Sequence, residues 1–299
     1  MVYEERIYLV GATGNIGKPL VQKLLQDPKV ALTLFTRKAS KVQEIFGTDH
    51  SEGKITIVEG DYDNKRSFED SITGHTRLFL LLHPSNDYAR TAQGIAEIAY
   101  NAGVKQIVLI SGIIASLPWH SSSFNLGARQ LEQGILSIPN KTSFVTLRPA
   151  YFMSNIFQGD VHTIKSANKF FDSREKDQTR PWISPKDIGE LAAIILQEPV
   201  EKHGDAVYEM IGDPATPVQQ AEALTRVLGR EIAYEKITDE QNYEMLTKQA
   251  GMPHGLAFMF TQLPVSLGQH GKTVGLSILL GRQPQTLEQW IEENKTAFL

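Results

Sequence analysis

The stretch Gly11-Ala12-Thr13-Gly14-Asn15-Ile16-Gly17 decides the fold of this 299-residue chain. An apolar run over residues 7–10 leads directly into it, and a segment with helical spacing of leucine and valine, 20–25, follows it. A second apolar run covers residues 31–35. The order of strand, glycine-rich turn, helix and strand is that of the first unit of a dinucleotide-binding fold.

The chemistry of a dinucleotide site requires glycines in such a turn. One glycine permits the sharp turn, one lets the backbone approach a pyrophosphate, and one lets the helix pack closely on the strand. The start of the helix offers free N–H groups and a partial positive charge to the pyrophosphate. The alternative is a tight turn that binds nothing. We predict that the cofactor is bound by Gly11, Thr13, Gly14, Asn15, Ile16 and Gly17.

The residues after the second predicted strand indicate which dinucleotide is bound. NAD-binding proteins usually place Asp or Glu there, about 20 residues beyond the glycines, to hold the ribose 2′-hydroxyl. This chain has Thr36, Arg37 and Lys38 instead, with Lys41 one helical turn later. Arg37 can form a planar, paired contact with a 2′-phosphate. We therefore predict NADP(H) rather than NAD(H); alternatively, these cations form the solvated start of a helix.

A third apolar segment, residues 55–59, ends just before Asp61 and Tyr62. An aspartate at the end of this strand commonly lies beside the adenine of the cofactor. Alternatively, Asp61 caps a helix or belongs to a turn, and the two interpretations are compatible. We expect both residues at the cofactor site.

The continuous apolar run over residues 78–82 is typical of a central parallel strand that is buried on both faces. Because the carboxyl end of such a strand faces the cofactor crevice, we expect Leu82 and His83 near the ribose or the nicotinamide. His83 then has three possible roles: a proton donor, a hydrogen-bond partner of the ribose, or a residue that fixes the loop before Pro84.

Further segments complete the pattern of alternating strands and helices. A helix is predicted over residues 86–102, and strands over 106–112 and 143–149. The sequence thus predicts an α/β protein with a Rossmann-type doubly wound parallel sheet over residues 1–150. Residues 151–299 are predicted to form a smaller, mostly helical substrate-binding region, in which 170–180 is irregular. We expect 185–212 to pack back on the sheet.

Composition excludes several functional classes. The net charge of −4, from 30 basic and 34 acidic residues, does not favour nucleic acid or an anionic membrane as a partner. The chain has no cysteine, which excludes disulfides, zinc–thiolate sites and a cysteine nucleophile, and we predict no metal site. No signal peptide and no membrane-spanning run is apparent, so the expected location is cytoplasmic.

An ordered set of motifs along nearly the whole chain resembles the NmrA-like proteins, which are atypical short-chain dehydrogenase/reductases. This family includes NADPH-dependent reductases of quinones, imines, dyes or plant phenolics. It also includes catalytically weak proteins that sense the NADPH/NADP ratio or regulate transcription. The resemblance rests on Gly11–Gly17, Thr36-Arg37, Gly60-Asp61, Ile110-Ser111-Gly112, Leu147-Arg148-Pro149, Trp182–Gly189 and Arg282-Gln283-Pro284 with Trp290 and Phe298.

The chain departs from the wider superfamily at the catalytic pair. Short-chain dehydrogenases use a tyrosine to donate a proton and a lysine, four residues later, to lower the pKa of the phenol and hold the ribose. Counting back from Glu132, the corresponding positions hold Phe124 and Ala128. Neither side chain transfers a proton, so the usual mechanism is predicted to be absent.

Other residues are candidates for the missing chemistry. Ser111, at a strand end, either binds the substrate or cofactor or belongs to a turn. Tyr151, with Phe152 in the segment that resembles the nicotinamide-facing part of the family, is either a replacement proton donor or an aromatic wall for the cofactor. Predicted substrate-pocket residues, each with an ordinary core or surface role as the alternative, are His120, Phe124, Asn155 and Phe258.

Two functions are consistent with these residues. The first is an NADPH-dependent reductase of an electrophilic small molecule, such as an iminium ion, a quinone or a dye, which needs no strong acid at the reacting atom. The second is an NADP(H)-binding redox sensor with little or no catalysis, whose protein partner changes with the cofactor. The loss of the tyrosine and lysine favours the second function, and the substrate-binding region after Pro149 favours the first.

Overall fold

A computed structural model describes residues 3–47, 53–62, 64–83, 87–267 and 271–299. The chain divides into two compact units, which are interleaved in sequence. Unit 1 comprises Met1–Trp119, Asn125–Pro149 and Lys186–Glu209. Unit 2 comprises His120–Phe124, Ala150–Pro185 and Met210–Leu299.

The strands alternate with helices through the first half of the chain and become short after Pro149. In chain order they are β1 (Glu5–Val10), β2 (Val30–Thr36), β3 (Ile55–Glu59), β4 (Arg77–Leu80), β5 (Gln106–Ile110), β6 (Ser143–Pro149), β7 (Tyr151–Phe152), β8 (Lys169–Asp172), β9 (Arg180–Ile183), β10 (Val207–Met210), β11 (Asp213–Ala215) and β12 (Ala233–Lys236).

The α-helices carry most of the second half of the chain. They are α1 (Gly17–Leu24), α2 (Ala39–Phe46), α3 (Arg66–Ile72), α4 (Tyr88–Asn101), α5 (Ser123–Leu136), α6 (Ile156–Gly159), α7 (Val161–Ala167), α8 (Pro185–Gln197), α9 (Val200–His203), α10 (Pro217–Leu228), α11 (Asp239–Glu244), α12 (His254–Leu267), α13 (Val274–Leu280) and α14 (Leu287–Glu293).

Unit 1 is built on a seven-stranded sheet with the order β10-β6-β5-β4-β1-β2-β3. Neighbours from β3 to β6 pair in parallel, and β1 lies between β2 and β4 and is hydrogen-bonded to both. All residues of β2, β4 and β5 are buried, as expected for strands covered on both faces. The structure confirms the predicted doubly wound α/β class.

Unit 2 combines helices with two small sheets, of order β11-β9-β7 and β12-β8. The prediction of an irregular segment over 170–180 is wrong at both ends, because β8 and β9 occupy them. The reason is that β8 is stabilised by pairing with β12, from Lys169 opposite Ala233, which is distant in sequence. Local composition carries no signal for such a pairing.

Cap residues define several of the helices in unit 2. Thr216 forms a capping box with Gln219, and Pro217 follows in the first turn of α10. The helix ends at Gly229, which adopts a left-handed conformation at φ 68°. Thr238 and Thr286 cap α11 and α14 in the same way, so three helix starts are encoded locally.

Candidate functional site

The glycine-rich turn between β1 and α1 is sterically restricted at two of its three glycines. Gly11 has φ 96°, and a Cβ on it would lie 2.8 Å from the Leu81 carbonyl oxygen. A Cβ on Gly17 would lie 2.3 Å from the Gly11 carbonyl oxygen. Both contacts are shorter than side chains tolerate, so glycine is required at these positions for the turn itself.

Gly14 differs from the other two glycines. A Cβ on Gly14 would meet only the Gly11 carbonyl oxygen, at 3.7 Å, which is an ordinary contact. The fold therefore accepts a side chain here, and a close approach of a ligand to the backbone explains the glycine better. No side chain caps the start of α1 at Ile16, so its N-terminus is available for a pyrophosphate. These residues fit a dinucleotide.

Gly189 supports this turn from behind, a role that sequence reasoning missed. It lies on α8, and a Cβ on it would be 2.5 Å from the Ile16 carbonyl oxygen. Helix α8 therefore packs directly on the start of α1. The available signal was a glycine inside an amphipathic helix. Glycine lowers helix stability, so its presence there indicates a position where close packing requires it.

The ends of β2 and β3 bring the predicted 2′-phosphate residues together with the predicted adenine residues. The backbone N–H of Gly60 donates to the Thr36 carbonyl at 3.0 Å, which ties the two strand ends. The Tyr62 ring packs on Phe35 at 5.8 Å between centroids. Burial raises the pKa of Tyr62, and the positive charge of Arg37 opposes this shift.

The cations of this region are exposed, whereas the Glu59 carboxylate stabilises a helix start. Arg37, Lys38 and Lys41 are exposed. The Glu59 carboxylate accepts a hydrogen bond from the Ala39 backbone N–H at 2.7 Å and so stabilises the start of α2. The arrangement suits a phosphate for two reasons. The positive charges are exposed, and position 36 holds a threonine where NAD-binding proteins have an acid that binds the ribose 2′-hydroxyl.

The segment after β4 lies against the glycine-rich turn, as its position in the sheet predicts. The Leu81 backbone N–H donates to the Val10 carbonyl at 3.1 Å. Leu82 is buried and His83 is exposed. The structure thus brings both residues beside the turn, and their contacts with a cofactor stay a prediction.

Ser111 is held by a buried acid rather than left open. Its Oγ donates to Glu132 Oε1 at 2.6 Å, and Arg148 Nε donates to the same oxygen at 2.9 Å. Glu132 lies on α5, as do Phe124 and Ala128, and Ala128 is buried. With its proton engaged by Glu132, the Ser111 hydroxyl is placed to accept a hydrogen bond rather than to donate one.

Unit 2 contains a cavity of about 70 Å³ that is partly open to solvent. Its wall combines aromatic rings with amide, carboxylate and guanidinium groups, the mixture typical of small-molecule sites. Of the predicted residues, Tyr151 and Asn155 line it. The other lining residues are Ile156, Gln158, Gly159, Asp160, Phe171, Asp172, Arg180, Trp182, Asn242, Leu246, Met252 and Phe260.

A buried ion cluster forms one side of this cavity. Asp172 accepts from Arg174 Nη2 at 2.7 Å and from Nε at 3.0 Å, and Arg180 Nη2 lies 3.2 Å from the same carboxylate. Burial opposes ionisation of Asp172, but the charges of Arg180 and Arg174 lower its pKa to about 2. Asp172 is therefore a carboxylate at physiological pH, and it carries one negative charge for two guanidinium groups.

The Tyr151 ring belongs to an aromatic wall around Arg180. The Arg180 guanidinium carbon lies 4.7 Å from the Tyr151 ring centroid and 5.2 Å from that of Trp182. Phe260 packs edge-on against Tyr151 at 5.3 Å. Burial raises the pKa of the Tyr151 phenol, more than Arg180 lowers it, which makes the phenol a weaker acid than an ordinary tyrosine.

Three predicted pocket residues do not line this cavity. Phe258 is 49% exposed and packs on His254 instead, 5.9 Å away between ring centroids. His120 is exposed and has φ 60°. Phe124 is partly buried, and a Cβ on Gly255 would lie 3.7 Å from its ring. The sequence did not show that these three side chains lie away from the cavity, because a sequence pattern does not say which side chains meet a cavity in the folded chain.

Phe152 is partly buried in β7 of unit 2. The predicted cofactor contacts of Phe152 and Tyr151 stay predictions.

Among the described residues there is no group of three or more His, Cys, Asp or Glu side chains able to hold a metal ion. Within the same residues, no helix has the length and apolar character that crossing a membrane requires.

The sequence model of the NAD(P)H-binding family matches residues 11–199. The matched region contains the glycine-rich turn, the predicted 2′-phosphate residues and the strand ends described above. The chain belongs to the NAD(P)H-binding family. The prediction of a nicotinamide dinucleotide cofactor is thereby confirmed.

Two curated relatives are similar over most of the chain. The NAD(P)H azoreductase of Xenophilus azovorans is 27% identical over 258 residues, which are 86% of this chain and 85% of the relative. The quinone oxidoreductase 2 of Escherichia coli (strain K12) is 25% identical over 290 residues, which are 95% and 96% of the two chains. With the family match, they confirm the prediction of an NAD(P)H-dependent reductase.

Solved structures confirm the fold. The NADPH-dependent quinone oxidoreductase QOR2 of Escherichia coli, complexed with NADPH, superposes with a TM-score of 0.81 at 22% identity, covering 97% of this chain and 99% of that chain. NmrA, a negative transcriptional regulator, superposes with a TM-score of 0.75 at 15% identity, covering 97% and 94%. The resemblance to NmrA-like proteins is confirmed at the level of the fold.

Proposed function

We propose that this protein is an NADPH-dependent reductase of aromatic, electrophilic small molecules of the quinone or dye type. The names of the azoreductase and the quinone oxidoreductase among its relatives support this substrate class. The observation that carries the proposal is the cavity of unit 2, with its aromatic wall and its ion cluster. A protein that only senses a dinucleotide does not require such a cavity.

The preference for NADPH over NADH is part of the proposal. Arg37, Lys38 and Lys41 place three exposed positive charges at and just beyond the end of β2. A 2′-phosphate is attracted to such a group, whereas the ribose 2′-hydroxyl of NADH offers no charge to it. Of these three, Arg37 is the residue that matches the paired geometry of a phosphate.

The chain's own residues supply position and electrostatics for the reaction. The turn from Gly11 to Gly17 and the start of α1 hold the pyrophosphate, and Leu82 and His83 border the same site. The rings of Tyr151, Trp182 and Phe260 present flat apolar surfaces to an aromatic substrate. Bound NADPH supplies the hydride. The protein therefore contributes orientation, exclusion of water and polar stabilisation rather than covalent chemistry.

The test is the oxidation of NADPH by the purified chain, followed by absorbance, with quinones, azo dyes, cationic triphenylmethane dyes and iminium compounds as acceptors. We expect turnover with at least one class and slower turnover when NADH replaces NADPH. An acceptor-free reaction is the control for spontaneous oxidation. Tight NADPH binding without turnover by any acceptor would contradict the proposal.

A redox sensor is the second candidate, and Phe124 and Ala128 at the catalytic-pair positions favour it. A sensor binds NADPH and NADP⁺ with different consequences for a protein partner. Association with a partner that depends on the oxidation state of the cofactor, with no turnover in the assay above, would support this candidate over the reductase.

A further inference from the structure

Asp160 lies between α6 and α7 and lines the cavity of unit 2. It occupies the N-cap position of α7, yet its side chain makes no capping hydrogen bond. Instead, its Oδ2 accepts a hydrogen bond from Gln220 Nε2 at 3.2 Å. The side chain is therefore not used for the local role that aspartate usually has at a helix start.

The charged and titratable groups around Asp160 come from β7, β8, β9 and the segment after β8. They are Tyr151, Asp172, Arg174 and Arg180. Asp172 already pairs with the guanidinium groups of Arg174 and Arg180, and these three side chains together carry one positive charge. When Asp160 is ionised, its negative charge reduces this net charge to zero. A substrate atom that gains negative charge is thus stabilised by the protonated state of the cluster.

The cavity wall also contains hydrogen-bond donors that lack an acceptor. The Arg180 Nε and Trp182 Nε1 groups are buried and have no partner in the described part of the chain. A buried donor without an acceptor lowers the stability of the fold. The residual positive charge of the cluster with Asp160 protonated favours a ligand whose carbonyl oxygens gain negative charge during reduction.

The ionisation of Asp160 is unlike that of Asp172. The pKa of Asp160 is raised to about 7, mainly by burial. The positive charges of Arg180 and Arg174 lower this pKa, and the negative charge of Asp172 raises it further. A carboxyl group that titrates near neutral pH can both give up a proton and recover it from solvent. Its neighbour Asp172 cannot, because it stays ionised throughout that range.

We propose that the cavity of unit 2 receives an aromatic dicarbonyl compound of the quinone class and that the Asp160 carboxyl donates the proton that completes its reduction. This inference rests on the proposed reductase function and names the residue that replaces the missing tyrosine and lysine. Tyr151, whose phenol is the weaker acid, forms the aromatic wall instead.

The reaction balances with the groups named. The quinone accepts a hydride from NADPH, and the electron pair of one carbonyl bond moves onto its oxygen, which gives a hydroquinone monoanion and NADP⁺. The O–H bond of Asp160 then breaks, a new O–H bond forms on the oxyanion, and Asp160 becomes a carboxylate. Solvent returns the proton to Asp160. One NADPH, one quinone and one proton give NADP⁺ and hydroquinone.

The proposal separates two kinds of electron acceptor. A quinone needs a proton after the hydride, whereas a cationic triphenylmethane dye becomes a neutral product by accepting the hydride alone. Removal of a general acid therefore slows the first reaction and not the second. A merely structural role of Asp160 would slow both.

The experiment compares wild type with Asp160→Asn in the full chain, using 1,4-naphthoquinone and a cationic triphenylmethane dye with NADPH between pH 5.5 and 9. For wild type, kcat/KM with the quinone is expected to fall as pH rises through about 7, because the donor is lost by ionisation. For Asp160→Asn, we expect a loss of about 10²-fold at pH 6 and no such pH dependence. The rate with the cationic dye is expected to change by less than about threefold.

Asp177→Asn is the matched control, since it removes an exposed carboxylate from the same unit. Circular dichroism and NADPH binding of each variant separate loss of the proton donor from loss of the fold. Asp160→Glu is a second variant, expected to keep part of the quinone rate because it keeps a carboxyl group.

Four outcomes would overturn the inference. They are an unchanged quinone rate in Asp160→Asn, an equal loss with quinone and dye, an effect confined to Tyr151→Phe, and wild-type turnover of the cationic dye but not of quinones. In the last case the proposed reductase function still stands. If wild type binds NADPH but reduces neither acceptor nor any other of the panel, both the inference and the reductase function are wrong.

Discussion

The glycine-rich turn of unit 1 and the charged cavity of unit 2 are built over very different distances in sequence. In unit 1, the backbone of Gly17 lies so close to the Gly11 carbonyl oxygen, six residues earlier, that only glycine fits there. In unit 2, Gln220 donates to Asp160 across 60 residues. The first site depends on local backbone geometry and is encoded by one motif, whereas the second depends on burial and on charges that meet only after folding.

The largest expected effect concerns the ion cluster of unit 2. Asp172→Asn leaves the buried Arg174 and the neighbouring Arg180 without their carboxylate, and we expect it to lower the free energy of unfolding by about 3–5 kcal/mol. Urea denaturation at pH 7 measures this, with Asp177→Asn as the control. A loss no larger than that of the control would show that the cluster does not stabilise unit 2.

The pH dependence of the same cluster has a definite sign. The folded-state pKa of Asp172, about 2, lies below the value of about 3.9 expected for the unfolded chain. Its contribution to stability is complete above the unfolded value and is lost as pH falls toward the folded one. In wild type the free energy of unfolding should therefore decrease between about pH 4 and pH 2 more steeply than in Asp172→Asn.

The next effect concerns the turn of unit 1. Gly17→Ala places a Cβ 2.3 Å from a carbonyl oxygen, and we expect a loss of about 2–3 kcal/mol in stability together with loss of NADPH binding. Gly14→Ala adds a Cβ that makes only an ordinary contact, so the melting temperature should stay nearly unchanged. The added methyl group should still weaken NADPH binding, because it lies where the ligand approaches the backbone. Calorimetric melting and NADPH titration of both variants measure the difference. Equal melting temperatures would contradict the steric assignment.

A smaller effect tests the choice of cofactor. Arg37→Ala is expected to raise the Kd for NADPH by about 10–100-fold, which corresponds to one lost charge-assisted contact with phosphate. The Kd for NADH should change little. Arg66→Ala, an exposed arginine on α3 of the same unit, is the control. Equal weakening of both cofactors would show that Arg37 does not bind the 2′-phosphate.

The last prediction concerns the ionisation of Asp160. Its folded-state pKa of about 7 lies above the unfolded value of about 3.9, so the folded state binds the extra proton and wild-type stability falls as pH rises between the two values. Asp160→Asn should therefore be more stable than wild type at pH 8 and equal to it at pH 4. Thermal melting at both pH values measures this, and a variant less stable than wild type at pH 8 would contradict the assignment.

Much of the fold follows from the sequence, because strand burial and helix starts are local properties. The apolar runs at β1, β2, β4 and β5 predict a parallel sheet, and the structure confirms it. The strands β8 and β9 were not predicted. Each is four residues long and is stabilised by partners elsewhere in unit 2, so no local pattern distinguishes them from a charged loop.

The candidate sites divide in the same way. Arg37 and the glycines were predicted as site residues because a phosphate requires particular residue types at fixed spacing after a strand. Asp160, Arg180 and Gly189 were missed as site residues. An aspartate at the start of a short helix and a glycine inside a longer one are ordinary in sequence, and their significance depends on what packs against them.

The sequence by itself predicted the dinucleotide site and a preference for a 2′-phosphate, because contiguous residues impose the required backbone conformation and charge. Only the tertiary structure distinguished the proposed proton donor from the other carboxyl groups of the cavity. Whether a carboxyl group is a permanent anion or an acid at neutral pH depends on burial and on neighbouring charges, and in this chain that difference separates Asp172 from Asp160.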